Sequence, residues 1–83
     1  MTVSSNTPRN NIASSNTLQK DIELCRHTIL LIDSNRIESW HPTIFKNNLC
    51  SDQRTRNAIA SMGVGRLGRK EVLSLLNILE TIE

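Results

Sequence analysis

Five cations fall within seventeen positions of one another, Arg54, Arg56, Arg66, Arg69 and Lys70, and between positions 52 and 70 only Asp52 and no other acid stands with them. A guanidinium presents a rigid fork of N–H donors to paired oxygens, so such a cluster suits phosphate groups or the carboxylates of a protein partner. The other residues with chemical potential are fewer. Cys25, Cys50, His27 and His41 lack the paired spacing of a zinc site. Cys25 and His27 could be imagined as nucleophile and base, but residues two apart on a helix point about 200° away from each other. The sequence therefore assigns no catalytic residue, no metal ligand and no cofactor, and it shows no pattern for a small-molecule substrate.

The chain that must position these cations has 83 residues, with ten Lys+Arg against eight Asp+Glu and a formal net charge of +2. One small core is all that this length supports, which excludes doubly wound sheets and most enzyme folds. A charge of +2 makes no polycation, so any attraction to a polyanion rests on local clustering. The longest aliphatic run, Ile29 to Ile32, is far below the roughly 20 residues of a spanning helix, so no membrane role is expected. Met1 to Asn11 contains no apolar stretch of a secretory leader, and a cytoplasmic protein is expected, with Cys25 and Cys50 as buried thiols rather than a disulfide.

Residues 1–17 are rich in Ser, Thr and Asn and read as a flexible arm, because they offer too little apolar surface to offset the entropy of ordering. Residues 18–83 form the domain. Leu18, Ile22, Cys25, Ile29 and Ile32 recur at intervals of four and three, the stripe of an amphipathic helix capped by Thr17 or Asn16, although residues 27–33 taken alone also fit a buried strand. Asp33 or Ser34 is expected to cap a second helical stretch carrying Ile37 and Trp40 and ending at His41-Pro42. Residues 42–50 are expected to make a connector or one helical turn that drops Ile44, Phe45 and Leu49 into the core. Ser51 is the expected N-cap of the next helix, with Asp52 favourably placed at its positive end, and Gly63 its left-handed stop. A final helix then runs from about Leu67 or Arg69 to the C-terminus. On it Val72, Leu73, Leu75, Leu76, Ile78, Leu79 and Ile82 cover an arc of roughly 220°, wider than the stripe of a surface helix. Either other helices wrap both sides of that arc, or part of it meets a homodimer mate or another protein.

Met62-Gly63-Val64-Gly65, flanked by one helix and followed by Val72-Leu73, resembles the helix-hairpin-helix family over about 20 residues. That resemblance implies a turn that binds the nucleic-acid backbone without reading sequence. Amides near Gly63 and Gly65 and at the start of the final helix would then meet a phosphate, with Arg66, Arg69 and Lys70 supplying charge. The segment from Val72 to Glu83 also resembles a helix of the small biofilm and connector regulators of the AriR type. The expectation is an all-α domain of three or four short helices, dimeric behind its arm. It acts as a non-enzymatic regulator that contacts nucleic acid through Arg54, Arg56, Gly63, Gly65, Arg66, Arg69 and Lys70. The alternative is an adaptor or inhibitor that docks its last helix on another protein.

Overall fold

The computed structural model describes residues 8–82, with side chains from residue 17 onward. Four helices follow one another: α1 at Pro8–Asp33; α2, a single turn at Pro42–Ile44 that continues as a π-helical turn at Phe45–Leu49; α3 at Gln53–Met62; and α4 at Arg69–Ile82. No strand occurs among the described residues, and residues 27–33 belong to α1, which settles their reading as helix. Of the expected flexible arm, residues 1–7 lie outside the described residues. The backbone of residues 8–16 is the beginning of α1.

The stripe on α1 packs as its spacing dictates. Leu18, Ile22 and Cys25 are buried, and Ile29 and Ile32 lie half-buried against the same core. That core is completed by Phe45, Cys50, Ile59 and Leu67, and by Val72, Leu75 and Leu79 of α4. Arg26 of α1 pairs with Glu80 and Asp33 pairs with Arg69, so α1 and α4 run antiparallel. α3 covers another side of α4 through Ile59 and the half-buried Ala58 and Met62.

The second helical stretch expected after Asp33 is absent. Asn35 takes the left-handed conformation, φ 62°. Its amide donates to the Ile32 carbonyl at 3.0 Å, and the Arg36 amide donates to that of Leu31 at 2.8 Å. These are the two crossed bonds of a Schellman motif, with asparagine in the place usually held by glycine, and they end α1. Trp40, expected on that helix, instead exchanges both backbone hydrogen bonds with Leu67, at 3.0 and 2.8 Å, as an isolated antiparallel bridge. The loop before α2 is thereby tied to the loop before α4. The Trp40 ring tilts against Phe45, with centroids 6.0 Å apart.

Residues 42–49 make a helical turn, one of the two expectations, but only Phe45 of its three apolar side chains enters the core. The Cys50 amide donates to the Phe45 carbonyl at 3.2 Å, five residues back. The wide turn directs Phe45 and Cys50 into the core and leaves Ile44 and Leu49 at the surface, 47% and 37% exposed. The N-cap of α3 is Asp52 rather than Ser51: its carboxylate accepts the Arg54 amide at 2.8 Å. Gly63 stops α3 as expected, at φ 62° and ψ 29°. α4 starts at Arg69, and Glu71 reaches back to accept the Gly68 amide at 3.0 Å, one half of a capping box.

Candidate functional site

The cations expected to act together are divided by the length of α3. Arg54 and Arg56 lie in its first turn, whereas Arg66, Arg69 and Lys70 lie beyond Gly63, roughly 13 Å further along the axis. The hairpin brings the last three beside the end of α1, where Arg69 meets Asp33, and leaves the first two beside Asp52, which meets α1 at Asp21 near the middle of that helix.

At the N-terminal end of α3 a carboxylate from α1 is the organising group. Asp21 stands between Leu18 and Cys25 on the buried stripe and is 1% exposed. Its two oxygens accept the amides of Ser51 and Asp52 at 2.7 and 2.8 Å, so Ser51 contributes backbone here in place of a capping hydroxyl. Asp52 in turn accepts Nε and Nη2 of Arg54 at 3.0 and 2.8 Å, and the Thr17 hydroxyl at 2.9 Å. The Arg54 guanidinium is the largest cause holding the Asp52 carboxyl well below the usual carboxylate range; the Arg54 amide and Thr17 act in the same direction against the opposing effect of burial. Arg56 donates to the Cys50 carbonyl at 2.9 Å and to Gln53 Oε1 at 2.9 and 3.2 Å. Both arginines are thus engaged at the start of α3, while Asp21 and Thr17 make the bonds from α1 to it.

The thiols beside this junction are free and buried. Burial, and then the Asp21 charge, pushes Cys25 up to about 12. Cys50 is also pushed up to about 12, by burial first, then by Asp21 and Cys25, with Arg56 pulling the other way. A thiol in that state is a poor nucleophile. His27 is exposed while Cys25 is buried, so the two share no surface.

At the other end, Arg66 Nε donates to Ser39 Oγ at 2.8 Å, and Arg69 Nε donates to Asp33 Oδ1 at 2.8 Å. Lys70 is exposed. Gly63 and Gly65 are exposed at the turn, and no atom lies within 4 Å of where a Cβ would stand on either. The first amide of α4's cap is taken by the Glu71 carboxylate, an anion already seated where a phosphate would approach.

α4 distributes its apolar residues over three environments. Val72, Leu75 and Leu79, expected at an interface, are wholly enclosed by the chain's own core, because α1 and α3 pack on two sides of this helix. Leu73 and Leu76 are half-buried. Ile78 and Ile82, one turn apart, remain 39% and 41% exposed.

Sequence reasoning overlooked Asp21 and mistook the role of Asp52. The signal for Asp21 was an acid three residues after Leu18 and four before Cys25, inside an apolar stripe, where a charge persists only if something meets it. Among the described residues no group of His, Cys, Asp and Glu could hold a metal ion, and no helix is long and apolar enough to cross a membrane. No family model, no curated protein and no solved structure matches the chain.

Proposed function

We propose that the protein is a small non-enzymatic regulator that acts by contact with another protein, through the flank of α4 that carries Ile78 and Ile82. The observation that carries this reading is the persistence of two isoleucines one helical turn apart on the outside of a helix whose inner face, Val72, Leu75 and Leu79, is fully enclosed. Aliphatic side chains at i and i+4 make a ridge that fits a complementary groove, and their burial is the driving force for association. Two buried free thiols fit a reducing compartment such as the cytoplasm. Capture of partners from native cell extract, with and without nuclease, tests the reading. Protein should be retained after nuclease by the parent chain and lost with Ile78→Asp/Ile82→Asp, two exposed substitutions that leave the core intact. Retention by that variant overturns the assignment of this flank.

Contact with a nucleic-acid backbone is the second reading. It is supported by Arg66, Arg69 and Lys70 lying within five positions around an exposed glycine turn. Against it weigh the Asp33 carboxylate on Arg69 and the Glu71 carboxylate on the α4 cap, both of which compete with phosphate.

A further inference from the structure

A second patch lies on the opposite flank of α4, roughly 140° around the helix from Ile78, where α4 meets α1. Its centre is Leu30, the most exposed large apolar side chain among the described residues at 65%. On α1, Leu30 shares a face with Arg26, four residues before it, and Asp33, three after it. On α4 the half-buried Leu73 occupies the corresponding place, four residues after Arg69 and seven before Glu80. The two helices are clamped across this seam by ion pairs, Arg26 to Glu80 at 2.9 Å and Asp33 to Arg69 at 2.8 Å. An apolar centre is therefore framed by four charged corners, positive and negative on one end, negative and positive on the other.

That arrangement is complementary to itself. A two-fold axis lying in the face and crossing the helices sets α1 antiparallel to α1 of a second copy about Leu30. Arg26 then meets Asp33 of the second copy, Glu80 meets its Arg69, and Leu30 meets its Leu30. An axis parallel to the helices also opposes unlike corners, Arg26 to Glu80 of the second copy. The net charge of each end separates the two arrangements. Arg26 also pairs with Glu23 at 3.1 Å, so its end holds two acids and one base. The other end holds Asp33 and Arg69 together with Arg36, Glu38, Arg66, Lys70 and Glu71, four bases against three acids. Only the axis that crosses the helices places the negative end over the positive one.

We propose that this face, centred on Leu30, is an isologous self-association surface on which a second copy of the chain docks with α1 antiparallel to α1. It is independent of the reading of the Ile78 flank, since it uses the other side of α4. Leu30 and Leu73 supply the apolar contact, while the corners set register, because exposed charges contribute orientation more than affinity. A patch of this size makes a weak dimer that dissociates on dilution.

Sedimentation equilibrium from about 10 μM to about 1 mM at moderate salt, the range in which small contacts are populated, tests it. The parent should pass from monomer to dimer across that range, and Leu30→Glu, an exposed substitution, should weaken the association about tenfold or more. Asp33→Arg with Arg69→Glu keeps the pair within the chain but sets like charges across the proposed axis, so association should fall. Adding Arg26→Glu with Glu80→Arg restores complementarity and should restore the dimer. Overturning results are a parent that stays monomeric at the highest concentration, a dimer indifferent to Leu30→Glu, or a half-inverted variant that associates as the parent does.

Discussion

The two ends of α3 handle charge in opposite ways. At the N-terminal end, Asp21 and Asp52 are buried; Asp21 accepts amides from 30 and 31 positions away, and Asp52 accepts the amide and guanidinium of Arg54 in its own turn and the Thr17 hydroxyl from α1. At the C-terminal end, the glycine turn is open, and Arg66, Arg69 and Lys70 are exposed, with single partners or none among the described residues. The first end holds α1 to α3 and has no charge to spare. The second contributes little to holding the chain and leaves its cations at the surface. Clustering of arginines in a sequence therefore does not distinguish a binding surface from an internal brace; the burial of the groups that meet them does, Asp52 and Cys50 being buried and Asp33 exposed.

This contrast is broken most severely by Asp21→Ala. Two amides, the part-buried one of Ser51 and the buried one of Asp52, lose charge-assisted hydrogen bonds that contribute about 1.5–3 kcal/mol each. A loss of about 3–5 kcal/mol is then expected in urea denaturation at neutral pH, close to the whole stability of a small domain.

Asp52→Ala comes next, with an expected loss of about 1–2 kcal/mol from the missing cap. The same carboxylate gives an acid limb. Its folded value is depressed, so its contribution is complete above the unfolded carboxylate range near 4, and it is lost as pH falls from there toward the folded value. Asp52→Asn removes that dependence, and its denaturation midpoint should change less between about pH 4 and 2 than that of the parent. The thiols report on the same region without a substitution. With Cys25 and Cys50 both pushed from the ordinary 9.0 up to about 12, the thiolate fraction at mildly alkaline pH falls by roughly a thousandfold. Native protein should thus be silent to a disulfide reagent that titrates both thiols in denaturant.

At the open end the effects are smaller. Gly63→Ala forces a side chain into φ 62° and should cost about 1–2 kcal/mol, whereas Gly65→Ala, at an ordinary φ with open space around it, should be near neutral. Arg69→Gln removes an exposed ion pair to Asp33 and should change stability by less than about 1 kcal/mol. An effect there as large as that of Asp21→Ala would erase the distinction between the ends.

Legibility followed the range of the interaction. The stripe from Leu18 to Ile32, the stop at Gly63 and the start of α4 near Arg69 are written in neighbouring residues, and the all-α fold follows from them. The end of α1 near Asp33 is legible too, but not the loop that follows it: nothing local marks Asn35 for the left-handed conformation that turns residues 34–41 away from a second helix. Trp40 was misplaced because its backbone partner, Leu67, lies 27 positions away. The candidate cations were identified from their spacing, but their partners were not. Arg69 meets Asp33 and Arg66 meets Ser39, 36 and 27 positions away in sequence, contacts that exist only once α1 and α4 are packed. The broad arc on α4 is too wide for one neighbour, and both α1 and α3 pack on it. What the sequence left open was which part is covered within the chain, and the packing of α1 and α3 encloses Val72, Leu75 and Leu79 while leaving Ile78 and Ile82 outside.

The central claim, that the molecule works through apolar contact with protein while its arginines are largely engaged within the chain, is tested most directly by titrating a labelled DNA duplex at about 50 and about 200 mM salt. Binding through phosphate contacts would lose affinity steeply over that interval. The account predicts no saturable binding at either salt. Saturable binding at the lower salt that weakens steeply at the higher and vanishes in Arg66→Glu/Arg69→Glu, with the fold intact, contradicts it.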